Sequence, residues 1–351
     1  MKKLLDRIFI DGLGGMAQGL FATLIIGTIM QQIGLFMGGG AGDLIYQIGK
    51  AAAGLTGAGI GVGVARKLEA GHLVIVSSAV VGMVGAFAGK LLAGQLLIDG
   101  NLVLAGPGEP LGAFIAAYLA IEIGILISGK TKLDIILTPL VCIGTGSAVG
   151  LFVGPPISEF MAWLGSLINW GTEQQPFLMG IIVSVLMGMI LTLPISSAAL
   201  GVILNLSGLA AGAATIGCCC NMIGFAVASW RENKFSGFLA QGIGTSMLQV
   251  PNIVRHPLIW LPAILSSAVL GPIGTMVLHM TNNATGSGMG TAGLVGPLMT
   301  WQVMTQSEAG VIVLGKIILI QFVLPAVVTL LISEFMRKKK WIHQGDMKLE
   351  L

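Results

Sequence analysis

Long apolar runs recur along this chain, broken by short polar or glycine-proline interruptions. Runs at 13–37, 43–65, 72–98, 111–129, 132–153, 176–194, 257–280 and 309–335 each reach the roughly 18 residues needed to cross about 30 Å of hydrocarbon as a helix. None shows the short alternating segments of a transmembrane β-strand. The stretch 195–230 predicts either two short spans or a membrane hairpin, and both return the chain to the side where it entered. The segment 155–175, with Trp163, Trp170 and no basic residue, predicts an outer interfacial helix. The start, MKKLLDRIFIDGL, predicts a short interfacial helix with Leu4, Leu5, Ile8 and Phe9 on one face. It lacks the cleavage pattern of a removable signal peptide.

Two further apolar stretches are too interrupted to face lipid. GFLAQGIGTSMLQVPNIV, 237–254, carries Gln249, Pro251 and Asn252, and TNNATGSGMGTAGLVGPLMT, 281–300, is rich in glycine and polar side chains. Irregular backbone at membrane depth is tolerated only inside protein or around water. Both therefore predict re-entrant hairpins. The fold class expected is an all-α polytopic membrane protein of about ten transmembrane helices plus two such hairpins. It forms a single embedded domain over 1–351, with possible halves 1–175 and 176–351.

Composition agrees. Hydrophobic residues make up 55% and charged residues 9% of the chain, where soluble proteins carry about 25% charged residues, and the mean hydropathy is +0.93. Glycine, at 53 of 351 residues, suits close helix packing and broken helices around a cavity, hence a transporter or channel rather than an anchor.

Charge orients the chain. With the N-terminus in the cytoplasm, Lys2, Lys3, Arg7, Arg66, Lys67, Lys130, Lys132, Arg231, Lys234, Arg255, Arg337, Lys338, Lys339, Lys340 and Lys348 all fall inside, 15 of the 18 basic residues. The positive-inside rule then places both termini in the cytoplasm of a multi-pass membrane protein. The same parity makes 237–254 dip from the cytoplasm and 281–300 from the outer side. Paired interrupted segments are the usual pointer to a transporter's binding site.

The candidate chemistry is sparse. Glu109 stands before Pro110 in the phrase GPGEPLG. It reads either as an acid capping a helix start or as a carboxylate aimed by Gly106, Gly108 and the prolines at a ligand hydroxyl, as hydrogen-bond acceptor or base. Lys50, Lys90 and Lys316 are the basic residues left inside spans, with Glu122 near enough in depth to pair with Lys90. Such charges snorkel or line a pathway. His279, just before Asn282, Asn283, Thr285 and Ser287, offers either a capping cluster or the mixed donors and acceptors that polyol recognition needs. Gln249 and Asn252 offer the same from the other hairpin. Cys142 and the run Cys218, Cys219 and Cys220 lack metal-ligand spacing and read as packing residues. No metal or cofactor motif, phosphate loop or hydrolase elbow is present, and nothing points to nucleic acid. Short phrases, GEPLGA at 108, GPPISE at 154, GPIGT at 271 and GPLMT at 296, raise internal repetition as an open question.

The phrases GTSMLQVPNIV (244–254), IWLPAILSSAVLGPIGT (259–275) and NNATGSGMGTAGLVGP (282–297) resemble the membrane component, enzyme IIC, of the bacterial phosphotransferase system, in the branch that includes the perfringolysin O regulator. The resemblance implies a sugar permease of the bacterial plasma membrane, with about ten helices, two re-entrant hairpins and a dimeric state. Sugar would enter from outside and be phosphorylated from separate enzyme IIB and IIA proteins. The chain would at most be the membrane part of that phosphotransferase, since it shows no phosphoryl-donor domain. GPGEPLG is similar to the Gly-x-x-Glu-Pro motif of glucose-type permeases, whose Glu holds the hydroxyl that receives phosphate. Gly106, Glu109 and Pro110 match it, but in the first half of the chain rather than late. Other readings stay open: a membrane sensor or regulator on a permease fold, a secondary transporter for a small polar or anionic solute, or a channel.

Overall fold

Helices dominate because a backbone in hydrocarbon has no water to bond and must satisfy itself within the segment. The computed structural model describes residues 6–98, 101–104 and 106–349; Lys2, Lys3, Leu4 and Leu5 lie outside the described residues. Contacts divide the chain into two compact units, Met1–Ala162 and Trp163–Leu351. Among the described residues, seven helices are long and apolar enough to cross a membrane, or eight if one bent pair counts as a single span.

In the first unit, α1 (Arg7–Met37) is one long helix that absorbs the expected interfacial start, with π turns at Arg7–Gly12 and Phe21–Ile25. The expected span 43–65 is broken: α2 (Gly39–Gly54) and α3 (Thr56–Lys67) meet at a 54° bend. Helix α4 (His72–Leu92) leads through a two-residue antiparallel ladder, Leu97–Ile98 with Asn101–Leu102, to α5 (Pro110–Ile127). Helices α1 and α3 run antiparallel at backbone contact, since a Cβ on Gly19 would overlap the Gly59 carbonyl. Helices α4 and α5 do the same where Gly85 meets Gly112. These registers put Arg7, Arg66, Lys67, His72, Lys130 and Lys132 at one end of the unit, as the charge pattern predicts.

Helix α6 (Asp134–Thr172) corrects two expectations. The predicted span 132–153 and the interfacial helix 155–175 are one 39-residue helix, with Pro139, Pro155 and Pro156 inside it. The Gly-Pro phrases also fail to mark equivalent places. GEPLGA and GPLMT begin helices, whereas GPPISE and Pro272 of GPIGT lie within them.

In the second unit, α7 (Pro176–Thr192) is followed by the seven-residue α8 (Ser197–Ile203) and by α9 (Gly208–Ala228). Helices α10 (Pro257–Val277) and α11 (Gly310–Lys338) complete the spans. Ser184 of α7 lies beside Gly217 of α9, and Thr192 beside Asn221, so α7 and α9 point the same way. Helix α10 opposes both, with Gly271 on Gly180 and the Ser184 hydroxyl donating to the Ser267 carbonyl at 2.8 Å. Two parallel helices in succession require the chain to turn back between them, and α8 does so. Thus 195–230 holds one short returning helix and one full span. At about 1.5 Å per residue, α8 covers only ~10 Å.

The interrupted stretches behave as predicted. Residues 235–255 form a helical hairpin whose base bonds Ser229 through Gln241 and whose tip, at Thr245 and Ser246, reaches Thr192. Residues 282–304 form another that starts at the opposite end, where Asn282 bridges Gly208, and descends to Gly290, against Cys218. Arg231, Arg255 and Arg337 gather at the end where the first hairpin enters, tied by Arg231 to Glu334 (2.9 Å) and Arg337 to Glu232 (2.9 Å).

A Cβ on Gly217 would overlap the Ser184 carbonyl. Gly217→Val is therefore expected to destabilise the detergent-solubilised protein by about 1–3 kcal/mol or more, read as a lowered melting temperature. Gly315→Ala, with open space around it, is expected to melt no lower than the parent.

Candidate functional site

Three chain breaks converge in the second unit: 193–197 between α7 and α8, 242–246 at one hairpin tip and 287–291 at the other. Each break frees backbone groups that must find partners at membrane depth. Hydroxyls and amides supply them. Ser197 Oγ donates to the Gly288 carbonyl at 2.6 Å, and Thr291 Oγ1 donates to the Gly242 carbonyl. The second contact joins the two hairpins, which enter from opposite ends. Ser196 caps α8 by accepting from the Ala199 N–H at 3.2 Å.

Beside these tips lies a buried polar knot. Thr192 Oγ1 is 3.1 Å from Asn221 Oδ1 and 2.8 Å from Ser246 Oγ. Trp260 Nε1 donates to the same Asn221 oxygen at 2.9 Å, while Asn221 Nδ2 donates to the Gly217 carbonyl at 3.1 Å and to Ser267 Oγ at 3.4 Å. Thr192, Asn221, Ser246 and Ser267 are all fully buried, and Trp260 is half-buried. Buried polar groups of this density are costly unless each is paired. They offer hydroxyl, amide and indole groups of the kind that recognise a polyol.

The predicted residues divide between the units. In the second, Asn282 Nδ2 donates to Thr215 Oγ1 (2.7 Å), Thr300 Oγ1 (3.0 Å) and the Gly296 carbonyl (3.2 Å), clamping both arms of its hairpin. Asn283 caps the short helix Ala284–Ser287 through the Gly286 N–H at 2.9 Å. His279 is exposed at φ 47° on the loop before them. Gln249 and Asn252 bind the C-terminal tail: Gln249 Nε2 donates to the Met347 carbonyl (3.0 Å) and Asn252 Nδ2 to the Lys348 carbonyl (2.9 Å). Lys316 reaches Glu308 at 2.8 Å, pointing its charge towards the helix start as a snorkelling lysine does.

In the first unit, Glu109 is the N-cap of α5, accepting from the Leu111 N–H at 3.5 Å, with Pro110 at the first helical position. Its own N–H donates to the Ala86 carbonyl at 2.8 Å. Gly108, at φ 71°, lies where a Cβ would strike Ala86, whereas Gly106, at φ 84°, faces open space. Lys50 and Lys90 are exposed on α2 and α4. Glu122 pairs with Arg7 (Nε to Oε1, 2.6 Å) rather than with Lys90. The reason is direction: α4 and α5 are antiparallel, so Glu122 lies near the His72 end of α4 and Lys90 at the other.

Thr192, Asn221, Ser246 and Trp260 were not singled out in the sequence. The available signal was a lone Asn or Thr inside an otherwise apolar span, which marks a group that must have a buried partner.

The family described as phosphotransferase system, EIIC matches residues 10–349. With seven candidate spans and this nearly full-length match, the chain belongs to the phosphotransferase system EIIC family of membrane permease components. No curated protein matches the chain significantly.

Replacing Asn221 by Ala strips Trp260 of its acceptor and Thr192 of one partner, which is expected to cost about 1–3 kcal/mol per group left unpaired. Asn283→Ala, which removes a cap, is expected to cost ~1 kcal/mol, and Lys316→Met less than ~1 kcal/mol. Thermal melts of the three variants in one detergent check this order.

Proposed function

We propose that this EIIC protein moves a sugar or polyol inward, with phosphorylation by enzyme IIB and IIA partners at the end where Arg231, Arg255 and Arg337 gather. The observation that carries this reading is the meeting of two hairpins from opposite ends at Thr291 and Gly242. A solute held at such a crossing can be reached from either side by moving one hairpin at a time, as alternating access requires. In this reading the basic end is cytoplasmic, and Ser246, Thr192 and Asn221 exchange their mutual hydrogen bonds for those of the solute's hydroxyls. Asn282 and Asn283 hold the outer hairpin in shape, and Lys50, Lys90 and Lys316 stabilise the protein in its bilayer. Separately, within the first unit, Glu109, whose backbone is fixed by Ala86, is proposed as an acid that accepts a hydrogen bond from a substrate hydroxyl.

Vesicles carrying the protein, given phosphoenolpyruvate, the soluble phosphotransferase proteins and candidate sugars, are expected to form sugar phosphate only in its presence. Uptake without phosphorylation would point instead to a secondary transporter, and binding without flux to a sensor. Ser246→Ala is expected to lower sugar-phosphate formation at least roughly tenfold, the worth of about 1.4 kcal/mol of hydrogen bonding. Glu109→Gln, which keeps a capping oxygen, is expected to abolish uptake while leaving the melting temperature unchanged.

A further inference from the structure

After α11 ends, residues 339–349 fold back over the base of the 235–255 hairpin, the inner one where the basic end is cytoplasmic. Asn233 grips the tail's backbone on both sides, donating from Nδ2 to the Met347 carbonyl at 2.8 Å and accepting from the Leu349 N–H at 2.8 Å. Gln249 and Asn252, on the returning arm of the hairpin, take the Met347 and Lys348 carbonyls. All three grips address main-chain groups of a turned segment, in which the Lys348 N–H donates to the Gly345 carbonyl at 3.0 Å, so the receptor surface reads backbone rather than a particular set of polar side chains. The anchors are apolar: Ile342 and Met347 are buried with Phe225, Ile253, Ile259 and Met336.

The ion pair beneath the tail both holds it and is strained by it: Glu232 Oε1 accepts from the Gly345 N–H and Arg337 Nη1 donates to the His343 carbonyl, each at 3.4 Å. Beneath the tail, the Glu232–Arg337 pair is almost wholly buried, with side chains 3% and 8% exposed. Glu232 Oε2 and Arg337 Nε have no hydrogen-bond partner there. A buried ion pair with unfilled hydrogen-bonding sites is strained by lost hydration, and lifting the tail would return water to both atoms. At the outer edge of the tail, Asp346, 12% exposed, accepts from the His343 N–H at 2.7 Å and lies 3.7 Å from the more exposed His256 and His343 rings, ring contacts worth little in solvent.

We propose that the C-terminal tail is a displaceable strap that locks the base of the inner hairpin at the basic end, and that its release frees the tip at Thr245 and Ser246. Apolar anchoring holds the strap down, while the dehydrated Glu232–Arg337 pair limits how firmly it is held. The arms of the hairpin are joined through the strap. Gln249 sits between Gln241 of the other arm (2.8 Å) and the tail carbonyl, so losing the tail loosens the bond set that fixes one arm on the other. This inference concerns the motion of the hairpin and does not depend on the solute or on phosphorylation.

The test places a cysteine at the tip, Met247→Cys, and follows its reaction with a membrane-impermeant maleimide in open membranes. The native cysteines are all buried and serve as internal background. In the full chain, labelling is expected to be slow. Truncation after Lys340 is expected to speed it at least about tenfold, in proportion to the population with an open hairpin. A synthetic peptide of residues 341–351, WIHQGDMKLEL, added to the truncated protein is expected to restore protection, and a scrambled peptide is not. Met347→Asp in the full chain is expected to mimic truncation. Unchanged labelling after truncation would overturn the strap. Faster labelling that the peptide fails to reverse would also overturn it, by making the tail a fixed part of the fold rather than a ligand.

Discussion

A peptide group placed in hydrocarbon has no solvent to bond with, and the second unit is organised around that constraint. At four places where its chain departs from a helix, a hydroxyl or amide from elsewhere in the unit takes over the exposed carbonyl. Ser197 does this for Gly288, Thr291 for Gly242, Asn282 for Gly296 and Gln249 for Met347. These contacts are few and specific, and each spans a chain break. The breaks can therefore sit side by side in the interior, where an unbroken helical bundle would present only apolar side chains.

Glycine makes that arrangement compact. At Gly217 and Gly271 the helices α9, α7 and α10 approach at backbone distance, as membrane helices do when small residues face each other. The close approach carries Ser184, Ser267 and Asn221 into mutual reach, so the helical part of the polar knot follows from the packing, and the hairpin tip adds Ser246. The first unit uses the same close packing, but its principal charges pair near its basic end, as Arg7 with Glu122.

Much of this was legible from residue pattern. Apolar run length located the long helices, lysine and arginine placement identified one basic end in each unit, and Gln249, Pro251, Asn252 and the Gly-Asn-Thr stretch after Met280 marked the two hairpins. Other features carry no local trace. The pair Pro155–Pro156 and two tryptophans looked like a boundary, yet α6 continues through them. Helix α8 is too short for a run-length argument to find. Asn221 with Thr192, and Thr192 with Ser246, pair across 29 and 54 residues, separations with no periodic signature. Gln249 and Asn252 were recognisable as groups that could not face lipid, but their partners are tail carbonyls, which no side-chain pattern reveals. Glu109 was readable as a helix cap from Pro110 alone, and that is its observed local role.

The shared direction of α7 and α9 has a consequence for biogenesis. Insertion machinery recognises long apolar segments and threads successive ones in opposing directions. Residues 193–207 hold only the short α8, too brief to be recognised as a segment that reverses the thread. Helix α9 can thus reach its final direction only if this connection is drawn into the bilayer together with it, after α7 is already seated. The second unit must then pass through a stage in which the 193–197 break awaits the hairpin carrying Gly288, which is synthesised some ninety residues later.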